Sequence, residues 1–251
     1  MVEEATRTGG PSLRERARLL RYLGRRVECP CCGGRFGRFS IGEVATDVAC
    51  PRCGSLPRQR LLWLYMADRG LFPASGEAVL HLAPEPILVS RLRSFAGVHY
   101  ESADIDPDRN PTILGDLTAL PIDDATFDLV LCSHVLEHVG DDRAAIAEMH
   151  RVAKPGGRVL IQSPVNYDQP ETFEDPSVTD PAERLRLFSQ DDHVRVYGPD
   201  LRKRLEETDF EVSIFDAAQL GEEANERYGL VPSFGPLRND IYDALKRATG
   251  P

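Results

Sequence analysis

The chain has 251 residues, enough for one α/β domain and a small appendage. A hydrophobic content of 41% and a charged content of 28% are ordinary for a soluble globular protein, and no apolar run approaches the ~20 residues of a membrane-spanning helix. A formal net charge of −10 argues against a general nucleic-acid binder, and the apolar-poor start MVEEATRTGGPS argues against a secretory signal, so the expected location is the cytoplasm.

Charge is uneven along the chain. Residues 1–60 carry 12 arginines against 6 acidic residues, whereas the remainder has 18 basic against 34 acidic. The basic excess is read as a solvated helix face rather than a nucleic-acid patch. Residues 1–11 are polar and glycine-ended, and disorder is expected there. Ser12 suits the N-cap of a helix through 23, with Leu13, Ala17, Leu20 and Leu23 on its apolar side. Next come Cys29-Pro30-Cys31-Cys32 and Cys50-Pro51-Arg52-Cys53. Pairing Cys29 and Cys32 with Cys50 and Cys53 gives C-x2-C-x17-C-x2-C, the spacing of a zinc ribbon. Two intervening residues let one tight knuckle present both sulfurs to a tetrahedral metal, and Gly33, Gly34 and Gly54 supply open backbone. Phe36, Phe39, Ile41 and Val44 would form a small hairpin core. The alternatives are disulfides or free thiols; a cytoplasmic chain disfavours disulfides. Cys31 is read as a spare. Four protein ligands close the coordination sphere, so this zinc is expected to be structural.

Residues 53–60 lead into a helix over 61–70 (LLWLYMADRG) that stops at Gly70. Strands are predicted over 78–82, 98–103 and 112–117. Residues 127–132 (FDLVLC) form a short apolar run after a polar turn, a buried strand. Residues 133–139 carry helical spacing, and 143–152 form an amphipathic helix with Ala145, Ile146, Met149 and Val152 on its apolar side. Lys154-Pro155-Gly156-Gly157 should stop that helix before a strand over 158–161. Strand, helix, turn, strand implies a parallel sheet. Residues 162–198 are rich in proline and aspartate and read as too polar for core; long loops at strand ends are often lids, and 164–198 is the expected substrate lid. Asp180 can cap a helix over 181–187, and Asp200 a helix over 201–208. Strands over 210–215 and 240–245 complete the chain.

Four fragments stand out together: Leu120-Pro121-Ile122-Asp123-Asp124, Phe127-Asp128-Leu129-Val130, Val135-Leu136-Glu137-His138 and Ala153-Lys154-Pro155-Gly156-Gly157. In this order and spacing they resemble the class I methyltransferases that use S-adenosylmethionine (SAM), of the type-11 kind. The cysteines followed by Cys53-Gly54-Ser55-Leu56-Pro57-Arg58 resemble a bacterial subgroup with an N-terminal zinc ribbon. The resemblance implies an α/β fold: a Rossmann-like, seven-stranded, mostly parallel sheet with helices on both faces and a reversed C-terminal hairpin, plus the ribbon. It implies a tail and helix over 1–26, the ribbon over 27–56 and the methyltransferase domain over 57–251.

The same resemblance implies SAM as cofactor, contacted by His81, Ala83, Glu85, Asp104, Ile105, Asp116, Leu117, Cys132 and Ser133. Asp104 would bind the ribose hydroxyls, Asp116 the adenine amino group, and Leu117 would pack near the ring. The chain departs from the family at the first strand end. The usual acidic position is His81, and the usual glycine-rich loop reads Ala83-Pro84-Glu85-Pro86-Ile87. Glu85 is assigned to the cofactor's ammonium; His81 either supports the loop or is a hydrogen-bonded core histidine. His134, His138 and His193 are the candidate catalytic bases, with Glu137 and His150 also considered. On a helix, His134, Glu137 and His138 would share one face. With His193 they resemble the E-x-x-E-H divalent-metal pattern of some methyltransferases, so a second divalent metal is one reading and a plain base the other. The expected acceptor is a small molecule, most simply a hydroxyl of a sugar or natural product. The alternatives are an RNA methyltransferase gripping through the basic ribbon, and a non-catalytic SAM-binding or zinc-ribbon adaptor.

Overall fold

The computed structural model describes residues 17–40, 48–230 and 237–248. The expected tail, the Ser12 cap, Leu13, Ile41 and Val44 lie outside the described residues. No helix among the described residues is long and apolar enough to cross a membrane. The chain forms two compact units, and the division is not linear: one comprises 73–84, 95–216 and 234–251, the other 1–72, 85–94 and 217–233.

The first unit is built on a seven-stranded sheet: β1 (Ala78–Leu82), β2 (His99–Asp104), β3 (Ile113–Leu114), β4 (Phe127–Ser133), β5 (Ala153–Gln162), β6 (Phe210–Phe215) and β7 (Ile241–Lys246), in the order β6-β7-β5-β4-β1-β2-β3. Strands β1 to β5 pair in parallel, and β7 runs antiparallel to both β5 and β6. The sheet is Rossmann-like, with the expected reversed C-terminal hairpin. Its central strands are apolar on both faces: Val79, Leu80, Val130, Leu131, Val159 and Ile161 are completely buried, as a parallel sheet covered on both sides requires. The helix Asp142–Val152 buries Ala145, Ile146, Met149 and Val152, the predicted stripe. Asp141 caps it, accepting from the Ala144 amide at 3.0 Å.

The Pro-Gly-Gly element has a steric reason. Gly156 lies at φ +78°, and a Cβ on Gly157 would sit 2.8 Å from the Lys154 carbonyl oxygen and 3.1 Å from that of Phe127. Both are backbone atoms, so Gly157→Ala is expected to lower stability by about 1–3 kcal/mol, measured by urea unfolding. A loss below the error of that measurement would refute the steric account.

Several elements differ from expectation. The strand predicted over 112–117 is two residues long, because the Gly115 amide donates to the Asp104 carbonyl and Asp116 then turns the chain with Thr118. Of residues 133–139, expected as a helix, Ser133 ends β4 and 134–139 form a turn. His134 has left-handed φ of +56°, and the turn closes by short-range bonds from the His138 amide to the Val135 carbonyl and the Val139 amide to the Leu136 carbonyl. The Leu136 and Val139 carbonyls also accept from Arg195, which takes the acceptors a helix would use. Residues 162–198 are not uniformly polar surface. Phe173–Glu174 pairs with Arg195–Val196, the helix Pro181–Phe188 is capped by Asp180 as predicted, and Val165, Phe188, His193, Arg195 and Tyr197 are buried. Asp200 does not cap Leu201–Glu206; its Oδ1 instead accepts from the amide and hydroxyl of Thr172 at 2.7 and 2.8 Å.

In the second unit, Val27–Cys29 and Gly34–Phe36 pair as an antiparallel hairpin. Near it, Leu20–Tyr22 is a 3-10 turn, so Leu19 and Tyr22 pack inward while Leu20 and Leu23 stay exposed, against the predicted face. The helix Pro57–Asp68 sends Arg60, fully buried, to the carbonyls of Val48, Ser55, Tyr228 and Gly229, with its guanidinium 4.0 Å over the Phe39 ring. One side chain thus satisfies acceptors of the ribbon and of the turn after the helix Glu222–Tyr228.

Candidate active site

Sheet order reverses between β1 and β4. The chain steps outward from β1 to β2 and β3, then crosses back to β4 on the other side. In such sheets the crevice for a ligand opens outside the carboxyl ends of the two strands at the reversal. Here both strands end in left-handed, non-glycine residues: Ala83 at φ +43° and His134 at φ +56°. An L-residue in this region costs about 1–2 kcal/mol. The chain therefore turns away sharply at both ends. Ala83 occupies the first glycine position of the family pattern, and its amide donates to the Ala103 carbonyl at 2.8 Å.

Asp104 ends β2 and is buried. Its Oδ1 accepts from the Asp106 amide at 2.9 Å, while the buried Oδ2 has no hydrogen-bond donor among the described residues; Arg109 Nε is 3.7 Å away. Ile105 beside it is 68% exposed, an apolar surface at the strand end. Asp116 is exposed and accepts twice from Thr118, amide and hydroxyl at 2.8 Å, and these bonds hold its carboxyl below the ordinary value. Leu117 is buried. Cys132 and Ser133 close β4, both buried; Ser133 Oγ lies 3.5 Å from Gln162 Oε1 of the neighbouring strand. Burial, reinforced by the Glu137 charge, pushes the Cys132 thiol well above its usual range. His81 is buried in β1, with Nδ1 3.0 Å from the Tyr100 hydroxyl, the arrangement of a hydrogen-bonded core histidine. Glu85 belongs to the other unit, where its Oε1 accepts from Arg58 at 2.8 Å and Gln59 at 2.6 Å.

Three of the predicted histidines gather around Glu137 in the turn after β4. His134 Nδ1 is 3.2 Å from Glu137 Oε1. His138 Nδ1 is 3.2 Å from Asp192, and the His138 and His193 rings meet edge-on at 4.7 Å. His193 Nδ1 donates to the Phe188 carbonyl at 3.1 Å, and Ser163 Oγ donates to Glu137 Oε2 at 2.8 Å. Burial pushes the Glu137 carboxyl up, but the contact and charge of His134, with Ser163, hold it below the ordinary value. Burial lowers the His193 imidazole. His150 is not in this group; its ring packs edge-on against Phe210 at 4.9 Å.

Sequence reasoning missed what holds this turn. Arg195 is 3% exposed. It donates to the carbonyls of Leu136 at 2.8 Å, Val139, and Gly140 at 2.9 Å, and to Glu174 at 2.9 Å. Asp142 Oδ2 accepts from Tyr197 and Arg204, each at 2.8 Å, and Arg204 also donates to Glu174 at 3.0 Å. Two arginines thus share three carboxylates, Asp142, Glu174 and Asp200, whose Oδ2 lies 3.5 Å from Arg204 Nε; the arginines and Asp142 are buried and Glu174 reaches the surface. Arginines inside a polar, proline-rich segment gave no sequence signal of burial.

In the ribbon, the Sγ atoms of Cys29, Cys32, Cys50 and Cys53 all lie within 4.8 Å of one another. Cys29–Cys53 and Cys32–Cys50 are 3.6 and 3.7 Å apart. Bonds of about 2.3 Å to a tetrahedral zinc place sulfurs roughly 3.8 Å apart, so the donor set fits that ion. Cys31 points elsewhere, donating to the Gln59 carbonyl at 3.7 Å.

Residues 79–161 match the model of a family described as a methyltransferase domain. A demethylmenaquinone methyltransferase of Clavibacter sepedonicus is 34% identical over 113 residues, which take in 40% of this chain and 46% of that protein. The chain thus spans less than half the length of the curated relatives it matches. Among solved structures, a putative sarcosine dimethylglycine methyltransferase from Galdieria sulphuraria superimposes with TM-score 0.54 at 18% identity, covering 74% of this chain and 84% of that one. A SAM dependent methyltransferase from Archaeoglobus fulgidus gives 0.51 at 17% identity, covering 77% and 95%. At these identities the structural likeness establishes the fold.

Proposed function

We propose that this chain, which carries a class I methyltransferase domain, is a SAM-dependent enzyme that methylates a small-molecule acceptor. The observation that carries the reading is the buried, donor-free Asp104 Oδ2 at the strand end beside the reversal of sheet order. A buried carboxylate oxygen without a donor is unfavourable, and a pair of ligand hydroxyls would satisfy it. When bound, the cofactor supplies a methyl group on a sulfonium. Around it Asp104 would hold the ribose, Asp116 the adenine amino group, and Leu117 and Ile105 the faces of the base. The Ala83 turn would bring backbone close to the methionine part, with His81 bracing β1 through Tyr100. Cys132 and Ser133 form the floor at the end of β4.

Methyl displacement needs the acceptor atom aligned and, for a hydroxyl, a base. His134, His138 and His193 are the candidate bases, and residues 164–198, which bring His193, form the lid in this reading. A sugar or natural-product hydroxyl is the acceptor proposed. A demethylmenaquinone-like acceptor is the second reading, favoured by the 34% identity to the relative of that name. Calorimetry with SAM is expected to give one site of micromolar affinity; no binding would sink the enzyme reading and leave a non-catalytic adaptor.

The ribbon is proposed to hold one structural zinc on Cys29, Cys32, Cys50 and Cys53. Metal analysis is expected to find one zinc per chain, lost in Cys50→Ser together with the ribbon's fold and kept in Cys31→Ser. Zinc retained in Cys50→Ser would overturn this ligand set.

A further inference from the structure

Glu137, His138 and His193 each offer one ligand atom, and the three atoms lie within 4.8 Å of one another. What surrounds them is arranged as a metal centre's outer layer. The Phe188 carbonyl engages His193 Nδ1 and Asp192 engages His138 Nδ1, which leaves Nε2 of each imidazole as the available lone pair. A carbonyl or carboxylate behind the ring is the usual way a protein fixes the tautomer of a metal-binding histidine. Ser163 likewise takes Glu137 Oε2 and leaves Oε1 facing His134. His193 is 4% exposed, yet its Nε2 has no hydrogen-bond partner among the described residues. Nothing among the described residues takes up this buried, oriented imidazole lone pair, which lies beside a buried carboxylate.

We infer that Glu137, His138 and His193 form a binding site for a divalent transition-metal ion, distinct from the four-cysteine ribbon. Two imidazoles and one carboxylate suit zinc, manganese, cobalt or iron better than calcium or magnesium. Metal–nitrogen bonds of about 2.1 Å bring ligands closer than 4.8 Å. The half-exposed His138 can close that gap, since its partner Asp192 lies on the surface. The ligand set does not come from one helix face: two ligands sit on the turn after β4 and the third arrives with the segment after the helix Pro181–Phe188. Three protein ligands leave coordination positions open, unlike the cysteine site. On the reading of this chain as a methyltransferase, an acceptor hydroxyl would fill one of them and lose its proton more easily there.

The test is a titration of the zinc-loaded protein with Mn2+, followed by calorimetry and electron paramagnetic resonance, without SAM. Failure of SAM binding and failure of metal binding are then separate results. One saturable Mn2+ site per chain is expected, weakened at least tenfold in His193→Gln and in Glu137→Gln. Because those positions are buried, the surface variant Asp192→Asn is made alongside them; it should fold normally and weaken Mn2+ binding about 10- to 100-fold. Co2+ in the same site should show no sulfur-to-metal charge-transfer band. Absence of saturable binding, affinity unchanged in Asp192→Asn and His193→Gln, or a thiolate band as the only Co2+ signature would each overturn the inference.

Discussion

Arg195→Met is expected to destabilise the protein by about 3–5 kcal/mol, the usual loss when one partner leaves a buried ion pair. For a chain of this size that corresponds to a fall of roughly 6–20 °C in melting temperature. The methionine keeps much of the stem and removes only the charge and the donors. Three carbonyls of the turn 136–140 then lose a donor, and Asp142, Glu174 and Asp200 face Arg204 alone, the network having lost one of its two positive charges. The double variant Arg195→Met, Glu174→Gln removes one charge of each sign, returns the network to its wild-type net charge and is expected to recover part of the loss, which a double-mutant cycle measures. A single-variant effect below 1 kcal/mol would show that the network is not buried as described. The network also has a pH signature. Burial raises the Glu174 carboxyl, but Arg195 and Arg204 outweigh it and hold the group below its ordinary value. A lowered carboxyl contributes fully above its unfolded value and loses that contribution as pH falls through the folded one. Acid unfolding of the wild type should therefore be sharper below about pH 4.5 than that of Arg195→Met.

Asp104→Ala is expected to weaken SAM by about 10²–10⁴-fold. Each hydrogen bond to a charged group contributes roughly 1.5–3 kcal/mol, and a bidentate ribose contact has two. Asp104→Asn keeps an acceptor for the Asp106 amide, so it preserves the local turn and separates a binding defect from a folding defect. Its expected loss is smaller, since one oxygen is exchanged for a donor. Calorimetry with SAM on both variants decides the matter: affinity within threefold of wild type in Asp104→Ala would remove this residue from the site.

Much of the fold was legible because its signals are local. The runs 78–82, 127–132 and 210–215 are short, apolar and punctuated, and the stripe of the helix Asp142–Val152 has the right period. The paired cysteines announce their own geometry by spacing. What escaped depends on distant partners. Residues 133–139 have helical spacing, but the acceptors a helix needs are taken by Arg195, 59 residues beyond Leu136. Asp200 has a capping residue's chemistry, yet Thr172 claims its carboxylate. His193 and Arg195 sit in a stretch whose composition reads as surface, because a buried charge network and a solvated loop use the same residue types. Of the site, Asp104 and the histidines could be picked by pattern. The ring orientations of His193 and His138, on which the proposed metal site rests, come from Phe188 and Asp192, which carry no motif.

The placement of β7 bears on how the chain is made. Strand β6 leaves the ribosome before β7, and among the described strands β7 is its one neighbour in the sheet. Until residues 241–246 emerge, β5 presents an open edge carrying Val159, Leu160 and Ile161, and β6 has nowhere to pair. An unpaired apolar edge invites association with other chains. Nascent chains that expose β6 but not residues 241–246 outside the ribosome should therefore depend on chaperones far more than chains that expose both. The most C-terminal of the seven strands is the one that seals the sheet.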